Sequence, residues 1–114
     1  MNTHIRYEVA KRLKEFLGES CPMPMCYEYY KPKGVGVYCT HIPRDWKEPP
    51  AFLLHDLLSR PFCEAFRKKV FLSDSVKFKD LWTNREMVQI LGIHYFDGGL
   101  PAVERALLEM MDKK

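Results

Sequence analysis

The sequence predicts an α+β fold: a single small domain over residues 1–114, with a β-hairpin-centred antiparallel sheet packed by four to five helices. Three observations lead to this prediction. Apolar residues recur at helical spacing near both ends of the chain, and two runs rich in Tyr and Val flank a turn that contains Pro and Gly. Hydrophobic residues make up 46% of the chain, which excludes a disordered protein and suits one core.

The first element is predicted to be a helix that Thr3 caps and Gly18 ends. Its apolar side chains share one helical face. They are Ile5, Val9, Leu13, Phe16 and Leu17. Pro22 and Pro24 follow, and they prevent the helix from continuing.

The predicted hairpin comes next, with strands over residues 26–31 and 35–42. Pro32 fixes φ at about −65°, which excludes a two-residue type I′ turn because that turn requires positive φ. The predicted connection is therefore a type I turn closed by a left-handed Gly34. This turn places Tyr29 opposite Val37 and Tyr27 opposite Cys39.

The outer face of the hairpin and the loop after it form a candidate protein-binding surface. Exposed aromatic side chains with a basic rim are typical of protein interfaces. The candidate residues are Tyr30, Tyr38 and Trp46, with Lys31, Lys33, Arg44 and Lys47 around them. The same surface would allow the chain to pair with a second copy. The alternative is that a helix covers this face and buries its aromatic rings.

Helices are predicted again in the second half of the chain, where apolar residues return to helical spacing. They cover residues 50–59, 61–70 and 84–91, and a last helix starts at Pro101. Residues 76–82 fit either a strand or a loop, and residues 93–96 fit a short strand. The first and last helices are expected to cover the same face of the sheet.

A basic patch between residues 60 and 79 is a candidate nucleic-acid contact. It consists of Arg60, Arg67, Lys68, Lys69, Lys77 and Lys79, and it carries a net charge of +4 after Glu64 and Asp74 are counted. The alternative is a solvated helix face. Because the net charge of the whole chain is only +3, nucleic acid is the less favoured partner.

Two groups of metal-ligating residue types occur in the chain. Cys21, Cys26, Cys39 and His41 lack the paired spacing of a zinc site, and the predicted register places Cys26 and Cys39 on opposite faces of the hairpin. We therefore expect no metal and no cofactor.

A His-Asp pair gives the second interpretation, a small metal-assisted hydrolase that uses His41, His55 and Asp56. The alternative for this pair is structural. On a helix over residues 50–59, His55 lies beside the apolar stripe and is partly buried, while Asp56 points away from it.

The compartment is predicted from the start of the chain and from its cysteines. The first six residues contain no apolar stretch, so we expect no signal peptide and a cytoplasmic protein with four free thiols. No run of about 20 apolar residues occurs, so we expect no membrane span.

Two sets of motifs resemble known groups of proteins. Residues 7–15 and the stretch from Gly99 to Leu107 resemble the first and last helices of small uncharacterised phage and prophage proteins. Thr40-His41-Ile42-Pro43-Arg44, followed by His55-Asp56, is similar to a second group of short phage proteins. The resemblance implies an origin in a phage or mobile element and brings no assigned activity. Together with the candidate surface, it favours a non-catalytic binding or accessory protein.

Overall fold

The computed structural model describes residues 4–24, 28–38, 46–70 and 84–112. Helices account for 71% of them, so the predicted sheet-centred α+β fold is wrong. The α-helices of this described part are α1 (Tyr7–Leu17), α2 (Leu54–Leu57), α3 (Arg60–Val70) and α4 (Asn84–Asp112). Within the described residues, the strands are β1 (Tyr29–Tyr30) and β2 (Val37–Tyr38), and this pair is too small to form a layer that helices could cover.

Helix α1 ends at Gly18 as predicted, but it begins at Tyr7 rather than after Thr3. The residues before it are extended because they pair with another segment of the chain. The Ile5 amide donates to the Phe52 carbonyl oxygen at 3.0 Å, which holds residues 4–5 away from the helix axis. The buried face of α1 carries the predicted Val9, Leu13 and Leu17, and Ala10 is buried beside them.

The hairpin forms with a register one residue away from the predicted one. Tyr29 lies opposite Tyr38 rather than Val37, and Tyr30 lies opposite Val37. Gly34 has the expected positive φ, 72°. Lys33 is also left-handed at φ 69° and ψ 13°, the conformation that a type II turn requires at its third position. The predicted pair of Tyr27 and Cys39 lies outside the described residues.

A third segment extends this small β structure on its other side. The Tyr30 amide donates to the Pro49 carbonyl oxygen at 3.0 Å, and the Ala51 amide donates to the Glu28 carbonyl oxygen at 2.7 Å. Because residues 49–51 are extended and paired, the helix predicted over residues 50–59 is reduced to the four residues of α2.

Helix α3 begins at Arg60, one residue before the predicted range of 61–70, and ends at Val70 as predicted. Helix α4 does not end at Gly92. It continues to a kink at Gly99, where φ is 73° and ψ is −163°. Residues 93–96 are therefore helical, and the short strand predicted there is wrong. The last helix does start at the predicted Pro101, but as the second segment of α4 (residues 100–112) after the kink.

The core lies where α1, α3 and α4 meet. Phe62 stacks on Phe66 with ring centroids 5.7 Å apart, and Phe52 contacts Phe62 edge-on at 5.3 Å. The first and last helices share no sheet face, contrary to expectation. Instead α1 contacts α4 directly, and the two are joined by the ion pairs Arg6–Glu104 and Arg12–Asp112.

Candidate functional site

The predicted binding surface does not form as a single cluster, because Tyr30 belongs to the core. Only 5% of this residue is exposed. Its hydroxyl donates to the Ile5 carbonyl oxygen, and its ring meets the edges of His4 and Tyr7. Burial raises the pKa of Tyr30 to about 12. Tyr30 is therefore a structural residue and not an anchor for a partner.

The other members of that surface are only partly brought together. Lys31, Lys33 and Lys47 are exposed, and Trp46 is half-buried. Tyr38 is placed in β2 by its backbone, and Arg44 lies outside the described residues.

The His-Asp pair has the opposite arrangement to the one predicted for it. The side chain of His55 is 55% exposed and that of Asp56 is 2% exposed. The buried carboxylate accepts a hydrogen bond from the Leu53 amide through Oδ2 at 2.9 Å, so it satisfies a donor at the start of α2. The closest ring atom of His55, Nε2, lies 3.9 Å from Asp56 Oδ1. His41, the third residue of the hydrolase interpretation, lies outside the described residues.

Four members of the basic patch lie on α3, while Lys77 and Lys79 lie outside the described residues. Arg60 and Lys68 are exposed, whereas Arg67 and Lys69 are half-buried. Lys68 pairs with Glu64 at 3.1 Å and holds the pKa of that carboxyl below its ordinary value. Three of the cations occupy the last turn of α3, where positive charge stabilises the helix dipole.

One of the candidate zinc ligands, Cys21, can be compared with the structure. Cys21 is half-buried and is a free thiol, like the fully buried Cys63. Burial raises the pKa of each thiol to about 11, which disfavours the thiolate that zinc requires. In the described part of the chain, no three His, Cys, Asp or Glu side chains converge on a metal-sized site. Cys26, Cys39 and His41 lie outside it.

A cleft between α1 and residues 47–49 is the most obvious concave feature among the described residues. Its walls are held together by contacts within the chain. Tyr7 shares a hydrogen bond with Glu48 Oε2 at 3.2 Å, and Lys14 Nζ donates to the backbone carbonyl oxygens of Lys47 and Glu48. These hydrogen bonds hold residues 47–49 against α1 and thereby form the wall of the cleft.

The most unusual surface is on the first segment of α4 (residues 84–98). Phe96 is 90% exposed, Ile93 is 61% exposed and Tyr95 is 46% exposed. The opposite side of the same segment packs into the core through Met87 and Leu91. The segment is therefore apolar on two sides, and its own core accounts for only one of them.

We define the α4 outer face as Glu86, Gln89, Ile93 and Phe96. All four are exposed. Their spacing alternates between three and four residues, which is the spacing of a seam that pairs with another helix. Gly92 lies beside this seam, and a Cβ atom added there would meet nothing within 4 Å. The chain's own packing thus gives no reason for a glycine in the middle of this segment.

Sequence reasoning missed this face because it assigned Ile93 and Phe96 to a strand. One signal could have identified it. On a helix that continues past Gly92, Met87 and Leu91 share one side, and Ile93 and Phe96 fall on the other.

Comparison with known proteins adds no relative. No protein-family model, curated protein or solved structure matches the chain. Over the described residues, none of the helices combines the length and apolar character needed to cross a bilayer.

Proposed function

We propose that this protein is a non-catalytic binding or accessory protein of a phage or mobile element, and that the α4 outer face is its protein-binding surface. The observation that carries the proposal is the 90% exposure of Phe96 beside the 61% exposure of Ile93. The resemblance of the terminal helices to phage and prophage proteins supports the origin. The free thiols of Cys21 and Cys63 support a cytoplasmic location.

The size of the exposed apolar area supports a protein partner. Phe96 and Ile93 together expose on the order of 300 Å² if each contributes its exposed fraction of a typical side-chain area. Apolar patches of this size on small proteins often mark interaction sites. Burial of Phe96 by a partner would be favourable because a large aromatic side chain gains more from leaving water than most residues do.

The geometry favours this function over the two other interpretations. Asp56 is buried and caps α2, so it does not present a carboxylate to a metal beside His55. On α3, Arg67, Lys68 and Lys69 occupy the last turn, and Lys68 pairs with Glu64. The α4 outer face, by contrast, exposes apolar side chains that the packing of its own helix does not explain.

Site-specific photo-crosslinking in the cells that make the protein tests this proposal. A photo-reactive amino acid at position 96 lies on the α4 outer face, and one at position 35 gives a matched control because Val35 is 72% exposed in the hairpin turn. We expect discrete crosslinked products from position 96 and none from position 35. Equal labelling from both positions, or none from position 96, would overturn the proposal.

A further inference from the structure

We draw no further inference here: the strongest candidate, the exposed apolar patch of Ile93 and Phe96 on the α4 outer face, belongs to the surface already proposed for protein binding, and nothing in the described part of the chain shows what covers it.

Discussion

Tyr30 joins three separate segments through one buried phenol. Its hydroxyl donates to the Ile5 carbonyl oxygen before α1, its backbone pairs with both Val37 and Pro49, and its ring contacts Tyr7. An ionised phenolate could not donate this hydrogen bond and would be poorly solvated at 5% exposure. The hydrogen bond from Tyr30 to Ile5 therefore requires the protonated hydroxyl.

Replacing Tyr30 with Phe tests this dependence. We expect the free energy of unfolding to fall by about 1–2 kcal/mol at neutral pH, since the Ile5 carbonyl oxygen loses its donor. The folded pKa of about 12 lies above the ordinary value of 10.0, so the contribution is complete below pH 10 and is lost as the pH rises towards 12. Urea titrations at several alkaline pH values should show wild type and Tyr30→Phe converging. A difference independent of pH would contradict this assignment.

Gly34 is required both by its backbone conformation and by its neighbour. Its φ is 72°, and a Cβ atom added there would lie 2.9 Å from Cγ of Tyr7. Gly36 has a similar φ of 74°, but its added Cβ would meet only the flexible side chain of Lys31 at 3.5 Å. A side chain at either position would be strained by the positive φ, but only at Gly34 would it also clash with a neighbouring ring.

Alanine at each of these positions separates strain from clash. Gly36→Ala should cost about 1–2 kcal/mol of unfolding free energy through left-handed strain alone. Gly34→Ala should cost more, because the ring of Tyr7 must also move. Chemical denaturation of the two variants measures the difference. Equal losses would show that the turn shifts away from Tyr7 without cost.

At the scale of elements, α1 is joined to α4 by two ion pairs of different character. Arg6 Nε lies 3.0 Å from Glu104 Oε2, and the side chain of Glu104 is only 3% exposed. Arg12 lies 2.7 Å from Asp112, and both side chains of that pair are about half exposed or more. A buried carboxylate depends on its partner far more than an exposed one does.

Truncating each arginine should therefore have unequal effects. Arg6→Ala leaves a buried carboxylate without its guanidinium and should lower the thermal midpoint by several degrees. Arg12→Ala should change it by about one degree or less, because exposed pairs contribute little. Scanning calorimetry of the two variants in the same buffer gives the comparison. A larger loss for Arg12→Ala would show instead that the Arg12–Asp112 pair, at the C-terminal end of α4, contributes more to holding α1 against α4.

The kink of α4 turns the apolar side of the helix from one direction to another. Gly99 adopts φ 73° and ψ −163°, a region that is essentially restricted to glycine. Before the kink Met87 and Leu91 face the core, and after it Val103 and Leu107 do so. Without a sharp bend these two stripes would face different directions.

Gly99 and Gly92 of α4 should respond oppositely to alanine. Gly99→Ala should lower the free energy of unfolding by about 1–3 kcal/mol, since alanine is strained at that φ and ψ. Gly92→Ala should raise it by about 0.5–1 kcal/mol, because alanine favours a helix interior and its Cβ has open space. Urea denaturation at low protein concentration measures both. Destabilisation by Gly92→Ala would mean that the chain itself needs the glycine.

For the molecule as a whole, local signals predicted boundaries better than architecture. Gly18 ends α1 and Pro101 starts the second segment of α4, because each residue restricts the backbone directly. The predicted fold class is wrong because a strong strand pattern in the sequence does not determine how many residues pair in a sheet. The Tyr- and Val-rich runs extend over many residues, but in the part of them that the structure describes the ladder joins Tyr29–Tyr30 to Val37–Tyr38.

The candidate surface failed for a related reason. A shift of one residue in register exchanges the two faces of a strand, so Tyr30, which was assigned to the outer face, is buried. The exposed face of α4 could be predicted only after the helix was extended through Gly92. The local sequence does not favour that extension, because glycine disfavours a helix interior.

The exposure of Phe96 also leads to a prediction for the stability of the whole molecule. Phe96 is 90% exposed, so it contributes little to the stability of the folded chain. For Phe96→Ser we therefore expect a thermal midpoint within about two degrees of the wild-type value. Scanning calorimetry of both proteins in the same buffer provides the measurement. A large loss of stability in Phe96→Ser would instead show that Phe96 supports the fold, and the α4 outer face would then lack a role in binding.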